Sequence, residues 1–223
     1  MTRVKICGLR RVEDCLAAAD AGADFIGFIF APSRRRIEPE NARDVISQVR
    51  AQSDVKAVGV FVNARPEEMN RVARLCTLDY AQLSGDEGDD VVRALDVPAI
   101  QVFHVHSGTS DGALVERIER SSAALVLLDS ASQDSFGGTG KAFDWAAIPP
   151  LQRPFLLAGG LDARNVESAI DTVAPWGVDV SSGVERDGQK SADMVREFIA
   201  VVRSRPAADA LESTFPPPLR SQP

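Results

Sequence analysis

Eight short, nearly continuous apolar runs, separated by stretches of helical spacing, constrain the fold of this chain more than any other feature. The runs occupy residues 4–7 (VKIC), 25–30 (FIGFIF), 57–62 (AVGVFV), 80–83 (YAQL), 100–105 (IQVFHV), 124–129 (ALVLLD), 155–158 (FLLA) and 178–181 (VDVS). They do not alternate with charge, which is how strands covered on both faces read. Helical periodicity falls between them at 11–21, 39–50, 65–76, 87–95, 110–120, 162–173 and 191–203, with a short stretch at 142–148. Repeated strand–helix alternation predicts a parallel sheet, and closing that sheet on itself removes both edges. The expected fold is therefore a single-domain α/β chain, a (β/α)8 TIM barrel; an open doubly wound sheet is the alternative with the same alternation.

Length agrees with one barrel, because such domains begin at about 200 residues and the chain has 223. Residues 1–205 are predicted to form the barrel, and 206–223, with three consecutive prolines and no apolar periodicity, a flexible Pro-rich tail. The apolar and charged fractions, 44% and 26%, belong to a globular protein with a sizeable core. A formal charge of -7 argues against a nucleic-acid footprint, which needs a net basic face. Cys7, Cys15 and Cys76 form an odd set without metal-ligand spacing, the N-terminus has no apolar leader, and no run approaches the roughly 18 residues of a membrane span. The expectation is a cytoplasmic protein without membrane or nucleic-acid partners.

In such barrels the active site lies at the C-terminal ends of the strands, and phosphate is usually held after strands 7 and 8. Strand 7 runs into Gly159-Gly160 and strand 8 into Ser181-Ser182-Gly183. Glycines let backbone N–H groups approach an anion, so these two endings together predict one phosphate cup, although each alone reads as a turn. The stretch FGGTGKAFDW at 136–145 is not a Walker loop: Ser135 stands where glycine is required, and Ala142 where a hydroxyl follows the lysine. It reads as a mobile loop over the site that brings Lys141 towards the ligand.

Cys7 closes strand 1 and Asp129 closes strand 6, both at the predicted mouth. The ordinary alternatives are a small buried hydrophobe and a loop cap; for Cys15 and Cys76, on helical segments, the buried hydrophobe is preferred. Arg34, Arg35 and Arg36 follow strand 2, either as a solvated run or with one guanidinium gripping a carboxylate. His104 and His106 alternate along strand 5 and, lacking a third ligand, read as packing or rim residues rather than a metal site.

Taken together, VKICG, GADFIGFIF, SRRRIEPE, VGVFVN, AQLSGDE, LLDS, GGTGKAFDW, LAGGL, NV and VDVSSGVE, in this order across residues 3–185, resemble the phosphoribosylanthranilate isomerases of tryptophan biosynthesis. KICG, GGTGKAFDW and DVSSGVE are the most specific of these phrases. The resemblance implies an Amadori rearrangement of N-(5-phosphoribosyl)anthranilate to the 1-deoxyribulose 5-phosphate ketose, without cofactor or metal; monomer and homodimer have similar core patterns, and both stay open. It implies that Asp129 protonates the furanose oxygen and that Cys7 removes the C2' proton. Arg35 is implied to recognise the anthranilate carboxylate and Gly159, Gly160, Ser181, Ser182 and Gly183 to hold phosphate, with Asp179 supporting that loop and Gln82 and Ser84 lining the site. An acid working near neutral pH needs a raised carboxyl pKa, and a thiolate base needs a lowered one.

Two positions depart from the family pattern: Ser84 stands where a histidine is usual, and Gln101 where lysine is frequent. The related histidine-pathway isomerase, which rearranges another phosphoribosyl amine, normally uses two aspartates, so Cys7 favours the anthranilate enzyme. A noncatalytic phosphosugar-binding barrel, with Ser84 marking lost activity, is the alternative from another class.

Overall fold

A computed structural model describes residues 1–105, 112–129, 145, 148 and 150–204. His106, Lys141, most of the 136–145 loop, the short helix expected at 142–148 and the tail at 206–223 lie outside the described residues. Eight parallel strands close into one barrel in sequence order: β1 (Arg3–Cys7), β2 (Phe25–Ile29), β3 (Lys56–Phe61), β4 (Tyr80–Leu83), β5 (Ala99–His104), β6 (Leu125–Asp129), β7 (Phe155–Ala158) and β8 (Gly177–Val180). β1 meets β8 in the register Val4↔Val178 and Ile6↔Val180, which excludes the open doubly wound sheet.

Helices α1 (Val12–Asp20), α2 (Pro39–Arg50), α3 (Pro66–Cys76), α4 (Asp89–Arg93), α5 (Gly112–Arg120), α6 (Val166–Val173) and α7 (Ala192–Arg203) cover the strands. Pro39 and Pro66 open α2 and α3, where proline's fixed φ fits and its missing N–H is not needed. In α3 the buried Met69, Val72, Ala73 and Cys76 recur at helical spacing and form the face turned to the sheet. α4 is shorter than the expected 87–95. α6 begins four residues later than expected, because the Asp162 and Asn165 side chains capture local backbone: Asp162 accepts from Arg164 N at 2.8 Å and Asn165 Oδ1 accepts from Asp162 N at 2.9 Å.

Alternation along the strands sorts side chains into two shells. Phe25, Val58, Tyr80, Ile100, Val102, Leu125, Leu127, Leu156 and Ala158 form the cluster inside the barrel, with Phe25 edge-on to Tyr80 at 5.8 Å. The intervening residues, such as Ile26, Ala57, Leu83, Leu157 and Val178, pack outward against the helices. This cluster gives the lumen an apolar floor, and the last inward positions of each strand form a mouth above it. At the opposite end, Asp24 accepts from Arg3 Nη1 at 2.6 Å, Val4 N at 2.8 Å and Arg203 Nη2 at 2.8 Å, fastening the last helix to the first two strands. After β8 a 3-10 turn (Ser182–Val184) leads into a small hairpin, β9 (Glu185–Arg186) with β10 (Gln189–Lys190), which the apolar pattern did not announce.

Candidate active site

Inward alternation places Lys5 and Cys7 on β1, Gln82 and then Ser84 on and after β4, His104 on β5, Asp129 on β6, and Asp179 and then Ser181 on and after β8 on the inner face of the barrel, with Lys5, Gln82 and Asp179 one step below the strand ends. β1 and β6 are three steps apart around the barrel, through β8 and β7, so Cys7 and Asp129 end strands on separate walls at the same end of the barrel. Asp129 stands beside His104, with Oδ2 3.8 Å from the imidazole Nδ1, as their paired positions on β5 and β6 require. Gln82 donates from Nε2 to Ser84 Oγ at 3.1 Å, and its buried Oε1 has no hydrogen-bond partner among the described residues. Gln101 turns the other way: its Nε2 donates to Glu87 O at 2.9 Å and its Oε1 accepts from Ser121 Oγ at 2.6 Å, outside the barrel. Its departure from the family pattern therefore does not touch the mouth.

The two expected phosphate loops meet. Gly159 and Gly160 take positive φ of 100° and 62°, making the sharp turn after β7. A Cβ at Gly183 would collide with the Leu161 carbonyl, so the loops after β7 and β8 touch backbone to backbone, and only glycine fits at that contact. Asn165 Nδ2 donates to Gly160 O at 2.9 Å, fixing the first loop to the start of α6. Ser181 Oγ donates to Cys7 O at 3.1 Å and joins the second loop to β1.

Arg35 leans over Gly8, where a Cβ would lie 2.6 Å from Arg35 Cδ, and grips a carboxylate from within the chain. Its Nε donates to Glu185 Oε1 at 2.6 Å and its Nη2 to Glu185 Oε2 at 3.0 Å. Arg34 Nη2 reaches Glu185 Oε2 at 2.6 Å, and Lys190 Nζ reaches Glu185 Oε1 at 3.1 Å and Ser181 O at 2.7 Å. Burial alone would raise the Glu185 carboxyl, but Arg35 and Lys190 outweigh it and hold it below the ordinary carboxylate range. The same burial dominates at Lys190, which is held below the usual lysine value despite Glu185. A cavity of about 590 Å³ opens beside this cluster, lined by Gly8, Arg35, Glu185 and Lys190 together with Arg10 and Asn41.

Cys7 and Asp179 are both buried, and Asp179 Oδ1 accepts from the buried Lys5 Nζ at 3.0 Å. Burial pushes the Cys7 thiol above its usual value, while Lys5 pulls against that shift. The lowered value expected for a thiolate base is thus not the net result. Asp179, expected to support the phosphate loop, engages Lys5 in the lumen. Sequence reasoning passed over Lys5, Glu185 and Lys190. The two-residue spacing from Cys7 was a signal for Lys5, whereas nothing local marks Glu185 as the partner of Arg35, 150 positions away in sequence. No group of three or more His, Cys, Asp or Glu side chains is placed to hold a metal among the described residues.

Fold and strand ends together define the class: a TIM-barrel protein with a cysteine ending β1, an aspartate ending β6 and paired glycine-bearing loops after β7 and β8. A family model described as N-(5'phosphoribosyl)anthranilate (PRA) isomerase matches residues 4–201. The N-(5'-phosphoribosyl)anthranilate isomerase of Roseiflexus sp. is 44% identical over 214 residues, covering 92% of this chain and 99% of that protein. The crystal structure of the Thermotoga maritima phosphoribosyl anthranilate isomerase matches with a TM-score of 0.80 and 39% identity, over 92% of this chain and 100% of the other. A structure of a phosphoribosyl anthranilate isomerase in complex with reduced 1-(o-carboxyphenylamino)-1-deoxyribulose 5-phosphate matches at 0.78 and 37% identity, over the same shares. The chain belongs to the N-(5'-phosphoribosyl)anthranilate isomerase family.

Proposed function

We propose that this chain catalyses the Amadori rearrangement of N-(5'-phosphoribosyl)anthranilate to 1-(2-carboxyphenylamino)-1-deoxyribulose 5-phosphate, the aldose–ketose isomerisation of tryptophan biosynthesis. Residues 1–205 act as one catalytic domain, with 206–223 as an appended tail, in a cytoplasmic monomer or homodimer. No described helix is long and apolar enough to cross a membrane. What supports the reading is membership of this family together with Cys7 and Asp129 at the C-terminal ends of β1 and β6.

Asp129 acts as the acid. It gives a proton to the furanose ring oxygen, the C1'–O bond breaks, and the anthranilate nitrogen's lone pair forms the Schiff base. Cys7 then takes the C2' proton, and the electron pair left behind neutralises the iminium to give an enolamine, which tautomerises to the ketose. Acid and base positioned in this way contribute about 100- to 10,000-fold each. Backbone N–H groups of the Gly159-Gly160 and Ser181-Ser182-Gly183 segments receive the phosphate, and Arg35 receives the anthranilate carboxylate. For that last contact the substrate competes with Glu185, which takes hydrogen bonds from Arg35 Nε and Nη2. Gln82 Oε1 and Ser84 Oγ offer polar contacts to the ribose from β4.

Purified protein given N-(5'-phosphoribosyl)anthranilate, beside the phosphoribosyl amine of the histidine pathway, tests the assignment. Conversion of the first is expected. Inactivity on it with conversion of the second would replace the reading by the histidine-pathway activity, and inactivity on both by a binding barrel.

A further inference from the structure

Among the described residues, Lys5 is a lysine with no exposed surface, and an ammonium in that position demands a reason. Burying a charge is expensive, and an apolar residue of similar size would usually serve a core as well. Its Nζ carries three N–H donors and no water can reach it. One donor goes to Asp179 Oδ1 at 3.0 Å. The Cys7 sulfur lies on the same inward face of β1, two residues on, and Cys7 and Lys5 each favour the charged form of the other. Gly27 of β2, paired with Cys7, makes the meeting possible: a Cβ there would stand 3.0 Å from Cys7 Sγ and 3.2 Å from Lys5 Nζ, so a side chain would fill the space the two atoms share.

We propose that Lys5 is a positioning residue for the catalytic base: its ammonium, kept charged by Asp179, faces the Cys7 sulfur and stabilises the thiolate that accepts the C2' proton. This inference rests on Cys7 being the base. During the step the sulfur goes from thiolate to thiol as the C2'–H bond breaks. Lys5 keeps its three protons throughout, and the thiolate returns when the sulfur releases its proton to C1' of the enolamine or to solvent. The groups facing Cys7 fit this division of labour. Burial opposes the thiolate most, Lys5 favours it more than Asp179 opposes it, and Lys190 from the hairpin favours it less than either. Arg35 reaches this cluster only through Glu185, which both it and Lys190 hold. At Lys5 itself burial disfavours the charge, but Asp179 and Cys7 together prevail and keep it protonated.

Alkylation of Cys7 by iodoacetamide, followed on its own peptide by mass spectrometry across pH in the full chain, reads the thiolate without reference to turnover. In the unaltered protein Cys7 is expected to titrate below Cys15, a buried thiol pushed up to about 12 with carboxylates rather than a cation beside it. Lys5→Met is expected to raise the Cys7 midpoint by at least about one pH unit, leaving about tenfold less thiolate at neutral pH, with the basic limb of the kcat profile moving alike. If the unpaired Asp179 prevents Lys5→Met from folding, the double variant Lys5→Met with Asp179→Asn leaves no lone charge and is expected to shift in the same direction by less. A Cys7 midpoint as high as that of Cys15 in the unaltered protein overturns the proposal. So does an unmoved midpoint in whichever variant folds, even with a uniformly lowered kcat, which is the mark of a merely structural lysine. Full turnover by Cys7→Ala would instead remove the base assignment, while the alkylation midpoints would still report whether Lys5 acts on the thiol.

Discussion

Replacing Glu185 by glutamine removes the charge on which Arg35, Arg34 and Lys190 converge, at nearly constant volume. The Glu185 and Lys190 side chains are 6% and 4% exposed, whereas Arg35 is 19% and Arg34 59% exposed. Charge-assisted hydrogen bonds contribute about 1.5–3 kcal/mol each, and breaking a buried pair costs about 3–5 kcal/mol. The exposed Arg34 adds only about 0–1 kcal/mol. Glutamine keeps one acceptor for Arg35, so the expected loss at neutral pH is about 3 kcal/mol, or a Tm lowered by about 6–12 °C in a domain of this size. The folded-state pKa of Glu185 is depressed, so its stabilisation is complete above the unfolded value of about 4.3 and disappears as pH falls through the folded value. Urea unfolding of both proteins from neutral pH downward should therefore show a gap that is constant above about pH 5 and closes in acid. A gap below about 1 kcal/mol at neutral pH, or one that persists unchanged to the acid limit of folding, would refute this account of the rim.

Two other changes address the substrate contacts. Arg35→Ala is expected to lower kcat/KM by about 10- to 150-fold, equivalent to about 1.5–3 kcal/mol, chiefly through KM. Steady-state kinetics with an analogue lacking the carboxylate should show little difference between the two proteins, and an equal penalty on both substrates would remove Arg35 from carboxylate recognition. Gly183→Ala drives a methyl group into the Leu161 carbonyl and should separate the two phosphate loops at a cost of about 1–3 kcal/mol. Inhibition by inorganic phosphate should weaken in parallel; an unchanged inhibition constant would place the phosphate elsewhere.

The barrel was legible because burial on both faces leaves an unmistakable trace: uninterrupted runs such as LVLL in β6 and AVGVF in β3. The positions of Cys7 and Asp129 at the ends of β1 and β6 were legible for a related reason, since each closes an apolar run. Arg35 was found through a local motif. Its partner Glu185 was not, because the pairing is made by a hairpin folding back over β1 and β2, a tertiary event without periodicity of its own. Lys5 had only its two-residue spacing from Cys7 to mark it, and its burial follows from barrel closure, which brings Asp179 of β8 alongside. The start of α6 was misjudged because side-chain capture by Asp162 and Asn165 competes with helix geometry at a scale that apolar spacing does not register.

Turnover of N-(5'-phosphoribosyl)anthranilate by folded Cys7→Ala and Asp129→Asn proteins, followed through anthranilate fluorescence, bears most directly on the acid–base pair. Each variant should lose about 100- to 10,000-fold in kcat with circular dichroism unchanged. Near wild-type turnover by either one would contradict the assignment of base and acid across the barrel mouth.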